Sequence, residues 1–265
     1  RGPGAGERLS VREIVLGDRS ILGVYLATML NWLGWISVQV YQTHFVAEEI
    51  YRGTPDPSSP DNALYVQGVQ AASAALVLNA LLMSAASLAF PALRSALGDR
   101  GIWAISANLT ALLLLSSVAV AAFDSRAMAS LWLVSLGPLY GVQLTIPYVV
   151  LAARAPAYAQ GELQGFLNVA VCVPQLILSL GGGIATHWAG TDMVLFLAGA
   201  AANAAAAAVC WRMLEDEPCA AAAEGEAPSR LRLGSAQGGT DARSSRCPVI
   251  TAAPDLVGIS IADAY

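Results

Sequence analysis

The sequence predicts an all-α integral membrane fold built from six transmembrane helices, and three observations predict it. Of the 265 residues, 56% are hydrophobic and only 12% charged, about half the charge of an ordinary soluble domain. Six stretches, 20–47, 62–93, 101–123, 127–153, 163–191 and 193–211, contain no Asp, Glu, Lys or Arg. Each is near or above the roughly 20 apolar residues that cross a ~30 Å hydrocarbon core as a helix. The basic residues, all arginine, fall unevenly on the segments between them. A soluble helical protein places charges along the outer face of each helix, and a transmembrane barrel alternates over ten-residue segments. Neither pattern is present.

The elements follow in order. Residues 1–19 form a linker, and Ser10-Val11-Arg12-Glu13-Ile14-Val15-Leu16 offers a short interfacial helix leading into the membrane. The spans are expected at about 20–46, 66–92, 101–123, 127–153, 164–187 and 192–211. Arg1, Arg8, Arg12, Arg19, Arg94, Arg100, Arg154 and Arg212 fall on one side, and only Arg52 and Arg126 on the other. The positive-inside rule then puts both termini in the cytoplasm. The longest outer loop, about Glu48 to Asp61, carries the helix-stopping run Thr54-Pro55-Asp56-Pro57-Ser58-Ser59-Pro60. The first span is too long, and too far from the start, to be a signal peptide. Arg1 in place of Met reads as the start of a fragment. Residues 212–265 lose all periodicity after Glu215, Asp216 and Glu217 and read as a disordered cytoplasmic tail or a gene-prediction error.

Several chemistries are excluded. The net charge of −5 and the scattered arginines give no nucleic-acid surface. There is no Walker A loop, H-E-x-x-H or G-x-S-x-G motif, so neither an enzyme nor a nucleotide-driven pump is expected. Cys172 and Cys210 lie in helices and Cys219 and Cys247 in the tail, without metal or disulfide spacing. No metal and no cofactor is implied.

The informative side chains are polar groups within the spans, which face a bundle interior or an aqueous cavity. On the first span Asn31, Trp35, Gln39 and Gln42 fall within about 80° of one helical face. Amides beside an indole suit a sugar-lined cavity; the same face would also serve as interhelical glue. His44 lies nearly opposite, near the outer end. It is either an interfacial or interhelical residue or a proton-responsive site. On the fifth span Asn168 and Gln175 share a face beside Pro174, which removes a helix hydrogen bond. The fourth span sets Gly141, Gln143, Thr145 and Tyr148 beside Pro147. Such broken helices build substrate sites in transporters, although packing alone also produces kinks. Asn79 and Asn108 read as isolated glue. The sixth span, with Ala204–Ala208 and no polar face, is expected at the periphery.

These residues also resemble a known family. Tyr41-Gln42-Thr43-His44-Phe45-Val46-Ala47-Glu48-Glu49-Ile50-Tyr51-Arg52-Gly53 is similar to the end of the seventh helix of sucrose/proton symporters and their fungal and animal relatives. These form part of the glycoside–pentoside–hexuronide branch of the major facilitator superfamily. Gly68-Val69-Gln70 through Leu78-Asn79 resembles the start of their eighth helix, and Ile146-Pro147-Tyr148 their tenth. Gln160-Gly161, Gly165, Leu167-Asn168 and Pro174-Gln175 have the spacing of the eleventh. Leu97-Gly98-Asp99-Arg100-Gly101 sits where such carriers have a cytoplasmic G-x-x-x-D-R-x-G-like loop.

The resemblance, covering about 20–211, implies the six-helix carboxy-terminal half of a twelve-helix major-facilitator-type bundle. It implies secondary transport of sucrose or a related glycoside by alternating access, with proton coupling in the full protein. Its partners would be the sugar, protons, the bilayer and the amino-terminal half. The membrane would be the plasma or vacuolar one. Asn31, Trp35, Gln39, Gln42, Asn168 and Gln175 would meet substrate, with His44, Glu49, Asp99 and Arg100 in coupling or gating. Glu49 matches a family carboxylate. Plant members carry aspartates where this chain has Gln42 and His44, and fungal-type relatives lack acidic residues there. The alternatives are a carrier of another small solute on the same fold and a six-helix membrane scaffold without transport.

Overall fold

The computed structural model describes residues 9–215. The acidic residues Asp216 and Glu217, Cys219, Cys247 and nearly all of the expected tail therefore lie outside the described residues, as do Arg1 and Arg8. Within them the chain forms seven α-helices and one π-helical turn. The helix α1 spans Val11–Gly17, α2 Arg19–Phe45, α3 Asn62–Ser87, α4 Phe90–Phe123, α5 Arg126–Arg154, α6 Gln160–Ala189 and α7 Met193–Met213. The π turn, Val46–Ile50, prolongs α2. Six of the helices are long and apolar enough to cross a membrane, α2 together with the π turn counting as one. The chain is an all-α, multi-pass membrane protein.

Caps and breaks set the boundaries. Ser10 and Glu13 form a capping box at α1: the Ser10 backbone N–H and hydroxyl each donate to a Glu13 carboxylate oxygen at 2.8 Å. The Glu13 N–H in turn donates to Ser10 Oγ at 3.3 Å. The backbone hydrogen bond first, and the hydroxyl second, hold the Glu13 carboxyl below the usual carboxylate range. A depressed carboxyl pKa stabilises the fold above its ordinary value, and the gain is lost as pH falls through the depressed one. Acidification through that range is expected to lower amide-exchange protection over residues 11–17 a few-fold. Ser10→Ala should give the same loss at neutral pH. Asp18 then caps α2, its carboxylate accepting from the N–H groups of Ser20 and Ile21.

The second charge-free stretch is not one helix. α3 ends at Ser87 rather than near residue 92, and α4 begins at Phe90 with Pro91 in its first turn. Proline has no N–H to donate there and fits a helix start. Inside α4, Gly98 has φ 71° and ψ 166°, a region open essentially to glycine alone. It separates a short arm, residues 90–97, from the span proper.

Close backbone approach holds the bundle together, as expected where lipid gives helices no hydrophobic reason to associate. α7 packs on both α2 and α4, not at the periphery. On α2, Gly34 lies against Asn203 and Gly199 of α7, and a Cβ on Gly199 would come 2.8 Å from Gly34 Cα. Asn203 is fully buried, its amide donating to Gly199 O one turn earlier at 2.9 Å. Gly137 of α5 lies against the Asn79 backbone carbonyl of α3. Phe45, Trp132 and Phe196 form an aromatic triad joining α2, α5 and α7, with centroid separations of 5.2 to 5.7 Å. Ser20 Oγ donates to Met213 O at 3.1 Å, so the chain enters and leaves at the same end of the bundle.

Two helices remain largely uncovered. Only Gly68, Ala72 and Ala75 of α3 are buried, and only Leu163, Leu167, Ala170, Pro174 and Gly182 of α6.

Candidate functional site

A cleft of about 120 Å³ opens between α2, α3 and α5, lined by Trp35, Gln39, Gln42, Leu76, Asn79, Leu136 and Tyr140. α2 contributes three of these because positions 35, 39 and 42 return to one face every turn. Trp35 forms the floor, only 3% exposed, its ring 4.8 Å from that of Tyr140. Gln39 donates its side-chain N–H to the Tyr140 hydroxyl at 2.5 Å. Across the cleft Asn79 donates to the Leu133 carbonyl at 2.6 Å, tying α3 to α5. Among the described residues, no Asp, Glu, Lys, Arg or His lines the cleft. Its chemistry is that of neutral hydrogen-bonding groups set on an aromatic and aliphatic base.

The other expected site residues lie elsewhere. Asn31 is on the same face of α2 but is 1% exposed and donates to Ala27 O, one turn back, at 3.0 Å. It does not line the cleft. On α6, Asn168 is exposed and accepts from the Tyr148 hydroxyl at 2.8 Å, linking α6 to α5. Gln175 is half-buried two turns further on. Neither lines the cleft. Gln143 is buried and accepts from the Trp103 indole N–H at 3.0 Å, and Thr145 donates to Gly141 O.

The four charged or titratable candidates separate to the two ends. At the end opposite Ser20 and Met213, His44 Nδ1 is 2.6 Å from Asp192 Oδ2, and Nε2 is 3.1 Å from Glu48 Oε1. Asp192 sits in the α6–α7 turn with its side chain 7% exposed. Thr191 beside it donates to Glu49 at 2.7 Å. The end of α2 is thereby tied to the α6–α7 turn at two points, and the π turn brings Glu48 and Glu49 to these partners. At the end shared with Ser20 and Met213, Arg94 donates twice to Asp99, at 2.5 and 2.9 Å, across the Gly98 bend. That hydrogen bond, ahead of the attraction of the opposite charge, raises the Arg94 pKa further. Arg100 places its guanidinium carbon 5.4 Å from the Trp211 ring centroid, a cation–π contact.

Tyr140 and the cleft position of Asn79 were not expected from the sequence. Tyr140 has no partner pattern within α5, and its role arises from contact with a helix about a hundred residues away. Asn79 reads as glue, and it does bind Leu133 O; the same side chain also forms part of the cleft wall.

Six apolar spans, with a polar-aromatic cleft between α2, α3 and α5, define a multi-pass α-helical membrane protein. Its sequence relatives are sucrose transport proteins. Sucrose transport protein SUT2 of Oryza sativa subsp. japonica is 31% identical over 176 residues, covering 60% of this chain and 35% of that protein. SUT3 of the same rice is 28% identical over 220 residues, covering 75% and 43%. Sucrose transport protein SUC3 of Arabidopsis thaliana is 27% identical over 194 residues, covering 66% and 32%. The chain thus spans less than half the length of the curated relatives it matches. No protein-family model matches it.

Proposed function

We propose that this chain is the carboxy-terminal six-helix half of a secondary transporter moving sucrose or a related glycoside by alternating access. The observation that carries the proposal is the uncharged cleft of Gln39, Gln42, Asn79 and Tyr140 over Trp35, within a chain resembling sucrose transport proteins. Sugars are recognised through neutral hydrogen bonds and apolar ring contact, and a charged solute would find no counter-ion in this wall. Binding pockets of about 300–1,000 Å³ enclose small ligands. A recess of about 120 Å³ suits one side of a shared site, the rest coming from an amino-terminal half.

Gln39 and Gln42 contact sugar in this reading, with Trp35 beneath them and Asn31 deeper along the same face. Asn168 and Gln175 belong to the uncovered side of α6, where the other half would meet them. His44 and Glu49 act at the outer end, where breaking their ties to Asp192 and Thr191 would free the α6–α7 turn. Asp99 and Arg100 act at the inner end. Both termini are cytoplasmic by the arginine distribution, in a plasma or vacuolar membrane. Proton coupling belongs to the complete carrier.

The complete carrier should support uptake of labelled sucrose in a transport-deficient host. Gln39→Ala and Gln42→Ala are each expected to raise KM about 3- to 10-fold, the loss of roughly one hydrogen bond. Asn168→Ala and Gln175→Ala should lower uptake less. Unchanged affinity in all four variants would remove the site assignment. A substrate and pH panel separates sucrose from another solute. Failure of an aqueous thiol reagent to label Gln42→Cys and Gln175→Cys would favour a dry scaffold instead.

A further inference from the structure

Three aromatic rings stack beside the cleft, and they differ in depth. Trp32 and Trp35 are 8% and 3% exposed, whereas Tyr140 is only partly buried. Tyr140 lies 4.8 Å from Trp35 with the planes at 47°, and 6.2 Å from Trp32 edge-on. The tyrosine is therefore the outermost ring, and the two indoles back it.

Its hydroxyl is equally constrained. Because the Tyr140 oxygen accepts the Gln39 side-chain N–H at 2.5 Å, its own O–H is left to donate elsewhere. The Gln39 carbonyl oxygen, at the other end of the same amide, is left to accept. A donor and an acceptor then stand side by side at the rim of an apolar ring. A hydroxyl is the solute group that both accepts and donates.

We propose that Tyr140 is the specificity-determining residue of this cleft. Its ring is the face on which the sugar rests, and its O–H, paired with the Gln39 carbonyl, reads one sugar hydroxyl. Trp35, expected from the sequence to meet substrate, instead backs the Tyr140 ring and holds it in place. This rests on the glycoside reading above and goes further by naming how the solute is distinguished. A site built to bond a hydroxyl rejects analogues lacking it far more strongly than a hydrophobic wall does.

The test uses the complete carrier, with surface expression measured for each variant, and monodeoxy sucroses as competitors of labelled sucrose. At least one monodeoxy sugar should compete about tenfold less well than sucrose against the wild type, the magnitude of one lost hydrogen bond. Tyr140→Phe should raise the KM for sucrose about 5- to 10-fold, leave Vmax within about twofold, and accept that deoxy sugar as well as sucrose. Tyr140→Leu should raise KM further, because the ring contact is lost too. A purely structural tyrosine would lower Vmax and leave the deoxy ranking alone. An unchanged KM and ranking in Tyr140→Phe overturn the inference. So does a wild type that accepts every monodeoxy sugar equally, which requires no variant. Absence of sucrose uptake by the wild type is a failure of the glycoside reading. Thermal-shift binding of other hydroxylated solutes then repeats the comparison, and finding no such binder overturns this inference as well.

Discussion

Residues 1–265 alone, inserted into a membrane, are expected to take up no labelled sucrose above background. Co-expression with a six-helix amino-terminal half should bring uptake to the level of the complete carrier. The physical reason lies in what is uncovered. The cleft has walls from α2, α3 and α5 only, and a solute there would remain in contact with lipid or water on its open side. α3 and α6 bury few of their own side chains against the bundle, yet α6 carries the polar amides of Asn168 and Gln175, which are costly to set against lipid. Alternating access needs two bodies that rock about a site between them. Saturable uptake by the isolated chain would mean that the cleft is completed by a second copy or not needed at all. Either result would end the half-carrier reading.

Gly34→Leu is expected to abolish recovery of monodisperse protein from detergent, whatever its effect on transport. A Cβ at Gly34 would strike the Asn203 amide and come 2.9 Å from the Gly199 carbonyl. Asn203 has nowhere to go, being fully buried, and the Gly199 carbonyl is backbone. Overpacking typically costs about 1–3 kcal/mol and more when backbone must move. Here α2 and α7 would have to separate along a contact that also holds Ser20 to Met213. Gly165→Ala supplies the contrast, because nothing lies within 4 Å of a Cβ there. Replacing a mid-helix glycine at an open site should stabilise by about 0.5–1 kcal/mol. A well-behaved Gly34→Leu protein with unchanged thermal unfolding would show that the α2–α7 contact is looser than described.

These two expectations draw on different parts of what the sequence reveals. The spans are legible because charge is excluded from lipid, so every Arg, Asp and Glu marks a boundary. The break at Leu88 and Ala89 is not, since a charge-free run reads the same whether the helix continues or restarts. The polar face of α2 is legible from spacing, and Trp35, Gln39 and Gln42 do line one cleft. Asn31 is eight residues from Gln39, about 12 Å along the axis, and bonds its own backbone instead. Periodicity gives the face, not the depth. Asn203 escapes notice because one amide in an alanine run makes no pattern, and its burial depends on a glycine far away in sequence. The pairings Gln39–Tyr140 and His44–Asp192 likewise join residues about 100 and 148 positions apart. Such contacts are set by helix packing, which a single sequence does not display.

The Gly98 bend has a consequence for bilayer thickness. As one straight rod, the 34 residues of α4 would measure about 51 Å, longer than the ~40–45 Å of a whole membrane with its headgroups. With the bend, the span from Asp99 to Phe123 is about 37 Å long, enough for the hydrocarbon and part of each interface. The surplus, a little over two turns, is diverted into the arm, with the Arg94–Asp99 ion pair at the corner. A lipid layer thicker or thinner than this span would load the elbow first.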